Sequence, residues 1–346
     1  MTVRVGFLGA GFIAQVHGYQ LGRCTTPHEV VGVFDLDVER AAELAARQKC
    51  PVMASAEEVI AASDAVIICT WTSAHPAMLR QVIESETAVL CEKPLAVDLA
   101  TAREMVAMVE ASGVINSVGL VLRTAPALCA LRELVNDPDV GRVMNVVFRD
   151  DQYIPIQGMY RSDWRGDPAR AGAGALIEHS IHDLDILEWL FGPMVSISAT
   201  TAEFHGMAGI EDSVSAIARF EGGHSATLTS VWHDVLSRTS LRRIEVFCER
   251  ALITLEGDDE GPLTWERTDV NGANSSGSID GTTLKPWLEQ RKAMPLLLEE
   301  SFLAAVATGG PSPSPTIADA LRAHVLVDAA YRSAAAGGTA IDTTSS

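Results

Sequence analysis

Over the first 120 positions, short apolar runs alternate with stretches in which apolar residues recur every three or four positions. The runs "VRVGFL" (3–8), "EVVGVF" (29–34), "DAVIIC" (64–69), "TAVLC" (87–91) and "VINSVGL" (114–120) predict strands. Between them, "FIAQVHGYQLGR" (12–23), "VERAAELAARQ" (38–48), "HPAMLRQVIES" (75–85) and "DLATAREMVAMVEAS" (98–112) carry the helical period. Strands and helices in strict alternation predict a parallel sheet with helices on both faces.

The rhythm changes after about residue 122. A helix over "APALCALRELVND" (125–137) leads to a strand, "GRVMNVVFRD" (141–150), and then to a loop rich in Tyr, Arg and Trp. One continuous helix is expected over "GALIEHSIHDLDILEWLFG" (174–192). Successive strand patterns follow, "VSISATTAEF", "DSVSAIARF", "HSATLTSVW", "RRIEVFC" and "ALITLEG", with hairpin signals such as "FEGGHS" between them, so this sheet should be mostly antiparallel. The Gly/Ser-rich stretch "TDVNGANSSGSIDGTT" (268–283) predicts an exposed loop. Two helical patterns, 295–308 and 317–336, are joined by "GGPSPSP", and the tail "DTTSS" is expected to be disordered. The chain should therefore form two domains, 1–122 and 123–346, the second α+β with a large open sheet.

Composition narrows the function. With 45 acidic against 26 basic residues the formal net charge is −19, which argues against a nucleic-acid partner. No window reaches the roughly 18 consecutive apolar residues of a membrane span. The N-terminus enters a strand at once, without the pattern of a signal peptide, so a cytoplasmic protein with no membrane partner is expected. The cysteines at 24, 50, 69, 91, 129 and 248 are scattered without a C-x-x-C, and read as reduced thiols rather than disulfides or a zinc site.

The first strand runs into Gly9-x-Gly11-x-x-Ala14 and then into a helix starting at Phe12 and Ile13. Gly9 permits the tight turn, Gly11 lets backbone approach a pyrophosphate, and Ala14 lets helix and strand pack closely. The second strand ends in "VFDLD", where Asp35 is placed to accept hydrogen bonds from ribose hydroxyls and to repel a 2′-phosphate. NAD is therefore expected rather than NADP. The competing reading makes Asp35 the cap of the following helix, a role Asp37 also fits.

At the end of the next-to-last strand pattern of this half stands Glu92-Lys93-Pro94, an acid, a lysine and a proline where open α/β sheets bind ligands. Together with Glu178, His182 and Asp185 in "GAGALIEHSIHDLD", and with Thr70, "TSAH" ending in His75, Arg123 and Trp164-Arg165, it makes the chain resemble the Gfo/Idh/MocA family, the glucose–fructose oxidoreductase and inositol dehydrogenase group. The resemblance covers nearly the whole chain. It places E-K-P at the end of the family's fifth strand, with the lysine beside the nicotinamide and the substrate hydroxyl. There are departures: Trp71 stands where proline is common, "AGAG" where three glycines are common, and Glu178 where Asp is frequent. The resemblance implies a Rossmann, doubly wound N-terminal domain. It implies a second domain for substrate binding and oligomerisation, with the C-terminal helix packing back on the first. A homodimer or homotetramer is expected on the same analogy.

The residue types suit oxidation of a secondary alcohol. Histidine titrates near neutrality, so His182 is a natural base, while Lys93 can stabilise developing alkoxide charge. Which of the two takes the proton stays open. Glu178, one helical turn before His182, is expected to orient it or to accept from a substrate hydroxyl. Cofactor contacts are expected from Gly9, Gly11, Phe12, Ile13, Asp35, Thr70, Thr72, His75, Glu92, Lys93 and Arg123. Substrate contacts are expected from Lys93, Arg123, Tyr153, Trp164, Arg165, Glu178, His179, His182 and His233, with Tyr160, Arg161, Arg170 and Trp232 nearby in sequence. Aromatic faces and arginine forks suit a polyhydroxylated ring. The family's substrates are sugars, inositols, sugar acids and nucleotide sugars, with a few dihydrodiols and biliverdin. Three alternatives remain at this level: a metal held by Glu178, His179, His182, Asp183 and Asp185, a catalytically silent dinucleotide-binding regulator, and an NADP-dependent ketosugar or diol reductase. No metal is expected.

Overall fold

A computed structural model describes residues 1–344. Its internal contacts divide the chain into two compact units. The first holds Met1–Leu120, Ala169–Gly172 and Leu296–His324; the second holds Val121–Pro168, Ala173–Pro295 and the chain from Val325.

The first unit begins β1 (Val3–Leu8), α1 (Phe12–Leu21), β2 (His28–Phe34), α2 (Val38–Gln48), α3 (Ala56–Ala62) and β3 (Ala65–Ile68). It continues with α4 (His75–Glu84), β4 (Ala88–Cys91), α5 (Leu99–Ser112) and β5 (Asn116–Val118). The strands form one parallel sheet in the order β2-β1-β3-β4-β5. Every residue of β3 and β4 is buried, as expected where helices cover both faces of a parallel sheet. Strand order reverses at β1, so the carboxyl ends of β1 and β3 flank a topological switch point, where ligands bind in open α/β sheets. Periodicity missed α3, a helix of only seven residues, which Ser55 caps by accepting from the Glu58 amide. The strand that delivers Glu92 is the fourth of this sheet rather than the fifth; β5 follows it at the sheet edge.

The second unit contains α6 (Pro126–Val135), β6 (Val143–Tyr153), α7 (Pro168–Ala171, shared with the first unit), α8 (Ala175–Glu178) and α9 (Ile181–Phe191). Then come β7 (Met194–Ala202), β8 (Ser213–Phe220), β9 (Ser225–His233), β10 (Leu241–Cys248), β11 (Ala251–Glu256), β12 (Leu263–Thr268), β13 (Asn274–Ile279) and α10 (Leu284–Arg291). The chain closes with α11 (Leu298–Thr308), α12 (Ile317–Ala335) and β14 (Ile341–Asp342). Nine strands make one sheet, β13-β12-β11-β10-β6-β9-β8-β7-β14, antiparallel except between β6 and β9. Strict alternation of buried and outward residues along β8 and β9 shows one face turned to the core.

Three expectations are corrected here. The helix over 174–192 is two helices, broken at His179 and Ser180, where His179 leaves helical geometry (φ −125°, ψ −59°). The stretch 268–283 is no loop: Asn274–Ile279 forms β13, paired along its length with β12. Its "NSSGSI" sequence has no apolar alternation because it is an exposed edge strand, so hydrophobic patterning is silent there. The tail is anchored by β14 against β7 and by the Thr343 hydroxyl, which donates to the Met194 carbonyl across 2.6 Å; Ser345 and Ser346 lie outside the described residues. Among the described residues no helix is long and apolar enough to cross a membrane.

Candidate active site

In the first unit, the β1–α1 turn is shaped for a phosphate. Gly9 has φ +94°, and a Cβ there would lie 2.6 Å from the Cys69 carbonyl. Gly11 caps α1 without a side-chain bond, and a Cβ built on it meets nothing within 4 Å. The first turn of α1, with exposed Phe12 and half-buried Ile13, has no acidic residue to oppose an anion. Ala14 is fully buried, which lets the helix approach the sheet. Asp35 accepts from the Ala10 amide across 2.7 Å and from the Asp37 amide across 2.8 Å. Asp37, not Asp35, caps α2, by accepting from the Arg40 amide. That leaves Asp35 tied to the glycine turn, just past the carboxyl end of β2.

At the end of β3, Thr70 Oγ1 is buried without a hydrogen-bond partner. Thr72 is buried in the short 3-10 turn that follows. His75 is buried too; its Nδ1 lies 2.9 Å from the Pro94 carbonyl and its Nε2 3.0 Å from the Thr70 carbonyl. It thus braces the β3 and β4 ends against each other. Open space over Gly11, an orphaned hydroxyl at Thr70 and a carboxylate at Asp35 together fit a dinucleotide such as NAD.

Around E-K-P, the neighbours Cys91, Glu92, Pro94 and Leu95 are buried and Lys93 is half-buried. Glu92 turns inward. Its Oε2 accepts from the Lys93 amide at 3.2 Å, and its Oε1 lies 2.9 Å from His17 Nε2. His17 Nδ1 in turn lies 2.6 Å from Glu299 Oε1. Burial would lower the His17 pKa, but the Glu299 and Glu92 carboxylates outweigh it and hold the ring charged up to about 10. Neither His17 nor Glu299 figured in the sequence reading. A signal existed, since His17 sits among Ala14, Gly18 and Leu21 on the core-facing side of α1.

In the second unit, Glu178 ends α8 and His182 lies in the first turn of α9, both buried. The break between them removes the expected one-turn, same-face relationship. Glu178 instead meets Arg165, whose Nε lies 3.1 Å from Oε2 and whose guanidinium also stacks on Trp164. Arg123 holds Asp185 through two bonds, at 2.9 and 2.6 Å. Arg242, fully buried, reaches Asp183 and Asp258 at 2.7 Å and Asp150 at 3.3 Å. His179 Nε2 lies 2.5 Å from Asp150. Burial pushes the Asp150 and Asp183 carboxyls up to about 6 against the pull of Arg242. The acids of the metal alternative therefore each face an arginine, and among the described residues no group of three His, Cys, Asp or Glu side chains is arranged to hold an ion.

Tyr153 is buried and accepts from the Met159 amide at 3.0 Å, with Tyr160 tilted against it. His233, at the end of β9, accepts from the Val235 amide on Nδ1, leaving Nε2 toward Asp151 at 3.4 Å. Trp232 is buried, whereas Arg161 is exposed. In the first unit, exposed Arg170 lies over the Trp71 ring. Sequence reading missed Asp150 and Arg242. Arg242 stands at a buried parity of β10, in step with Ile244 and Val246, which marks it as a charge the core must neutralise.

Residues 3–120 match the family model described as an oxidoreductase family with an NAD-binding Rossmann fold, and residues 129–254 match the GFO/IDH/MocA C-terminal domain. Inositol 2-dehydrogenase of Rhizobium meliloti (strain 1021) is 30% identical over 347 residues, covering 97% of this chain and 98% of that protein. Inositol 2-dehydrogenase 2 of Paenarthrobacter aurescens (strain TC1) is 29% identical, covering 98% of each. Among solved structures, levoglucosan dehydrogenase in complex with NADH and levoglucosan superposes with a TM-score of 0.84 over 99% of this chain and 100% of that one, at 20% identity, a likeness of fold. With both domains matched and a relative aligned over 98% of its length, the chain belongs to the Gfo/Idh/MocA family of NAD-binding oxidoreductases acting on CH–OH groups.

Proposed function

We propose that this enzyme oxidises a secondary hydroxyl of a cyclic polyol or sugar, with Lys93 and His182 handling the hydroxyl proton and Glu178 supporting them. Lys93 carries the reading. It is the one half-buried residue in a turn whose neighbours Cys91, Glu92, Pro94 and Leu95 are buried, and its backbone is anchored by Glu92. Bound NAD supplies the hydride acceptor; Gly9, Gly11 and the start of α1 would hold its phosphates, Asp35 its ribose and Thr70 its nicotinamide end. The Lys93 ammonium donates to the substrate oxygen and stabilises the charge that grows there as the O–H bond breaks. The His182 imidazole accepts the proton. Arg165 holds the buried Glu178 carboxyl group in place, from where it can fix a neighbouring substrate hydroxyl. Inositols rank first among substrates because the two relatives that align over 97–98% of this chain, at 29–30% identity, are inositol 2-dehydrogenases. We propose residues 123–346 as the substrate-binding part and a homo-oligomer as the working form.

The test is reduced-nicotinamide absorbance with NAD⁺ across inositols, aldoses, sugar acids and anhydrosugars, beside Lys93→Ala. Turnover with one class, reduced by about 10²–10³ in the variant while NAD affinity holds, is the expected result. Tight NAD binding with no turnover on any member would favour a silent regulator instead.

A further inference from the structure

The buried trio of His17, Glu92 and Glu299 takes no part in the chemistry above, yet it ends on the residue that does. Three elements bring it together: α1 supplies His17, the end of β4 supplies Glu92, and the first turn of α11 supplies Glu299. All three are at most 5% exposed. Room for the Glu92 carboxylate depends on Gly119, since a Cβ there would lie 2.2 Å from Glu92 Oε1. The two contacts of the His17 ring are 2.9 and 2.6 Å, both to carboxylate oxygens, which only accept when ionised. Both ring nitrogens must then donate, and the ring is an imidazolium.

We infer that His17 is a positioning residue for the reaction: clamped between Glu299 and Glu92, its ring fixes the Glu92 carboxylate so that Oε2 anchors the Lys93 amide at the end of β4. The inference rests on the reading of Lys93 as a catalytic group. Its physical content is direction. Glu92 has several rotamers that would carry its carboxylate away from the Lys93 amide; the His17 bond on Oε1 selects the one that keeps Oε2 there. Glu299 orients the ring from the other side, so that Nε2 faces Glu92. Other groups near the trio are the Cys69, Cys91 and Cys24 thiols, which burial keeps protonated, and Glu300, which is occupied by Thr25 and Thr26.

The experiment is a double-mutant cycle on the whole chain, measuring kcat at saturating substrate and NAD⁺, and NAD affinity separately. His17→Asn is too short to bridge both acids; kcat should fall at least about tenfold while NAD affinity stays within about threefold. In the Lys93→Ala background the same change should be silent within about twofold, because His17 acts through Lys93. A purely structural role would repeat the full loss in that background and overturn the inference, as would a kcat within about twofold of wild type for His17→Asn alone. If Lys93→Ala itself keeps full turnover, the reading of Lys93 fails instead, and the two failures are told apart. Should His17→Asn not fold, Glu299→Gln is the milder variant, expected to lower kcat about two- to fivefold and again silently without Lys93. At pH 8, ¹⁵N-histidine NMR should show a ring with both nitrogens protonated that is absent from the His17→Asn spectrum, which separates it from His75, whose two nitrogens also face carbonyl oxygens; a wild-type spectrum with no such ring, or none lost on that change, would overturn the clamp.

Discussion

The Leu95 amide donates to Nε2 of His324 across 3.1 Å, joining positions 229 residues apart in sequence just beyond Lys93. An acceptor Nε2 cannot carry a proton, so this bond requires a neutral ring with the proton on Nδ1. Burial lowers the His324 pKa to about 4, with His75 adding to the effect and Asp98 opposing it.

This lowering makes acid sensitivity an expected property. The unfolded chain protonates His324 near 6.5, whereas the folded chain resists down to about 4. Stability from this group is therefore complete above about pH 6.5 and is lost as pH falls toward 4, to the extent of about 3 kcal/mol. Thermal melting from pH 7 to pH 5 should show a falling Tm. His324→Gln, whose side-chain oxygen still accepts from Leu95 but does not titrate, should flatten that fall. An unchanged slope in the variant would remove His324 as the cause.

On the alkaline side the sign reverses. The His17 pKa is raised from 6.5 to about 10, so its stabilisation is complete below about 6.5 and declines as pH rises through 10. Melting between pH 7 and pH 10 should show a declining Tm, and Glu299→Gln, which removes one of the two carboxylates, should reduce the decline. Equal slopes in variant and wild type would contradict a charged His17.

The Arg123–Asp185 pair should be costly to break from one side. Asp185 is 4% exposed and its two oxygens are both taken by the guanidinium. Arg123→Ala strips both of those charge-assisted bonds from the buried carboxylate, at a cost of about 3–5 kcal/mol by denaturant unfolding. Arg123→Met with Asp185→Leu should recover most of the loss, because the charge is then gone from both sides. A single variant within about 0.5 kcal/mol of wild type would show that the pair contributes nothing.

Much of the fold was legible because its elements obey one period each. β3 and β4 are uniform apolar runs, and β8 to β11 alternate cleanly. What escaped was structure without a hydrophobic signature. β13 is serine, asparagine and glycine up to its last residue on a sheet edge, α3 with its seven residues is too short for the period to show, and the kink at His179 sits inside an unbroken helical pattern. At the site, E-K-P and the glycine turn could be read because their spacing is rigid within a few residues. The partners that set their geometry could not: Glu299 lies 282 positions from His17 in sequence, and nothing local to either residue names the other.

The bond from the Ala10 amide to Asp35 bears on any attempt to redesign this enzyme for a phosphorylated cofactor. The obvious exchange, replacing the acid by a small or basic residue, would remove the repulsion of a 2′-phosphate expected of Asp35 and in the same stroke leave the Ala10 amide without its acceptor, with the Gly9 amide bond to the Phe34 carbonyl still holding the turn to β2. On the proposed reading of Asp35 as the ribose contact, cofactor choice and loop order share a single side chain. A successful switch therefore needs two substitutions, one to welcome the phosphate and another to give Ala10 a new acceptor.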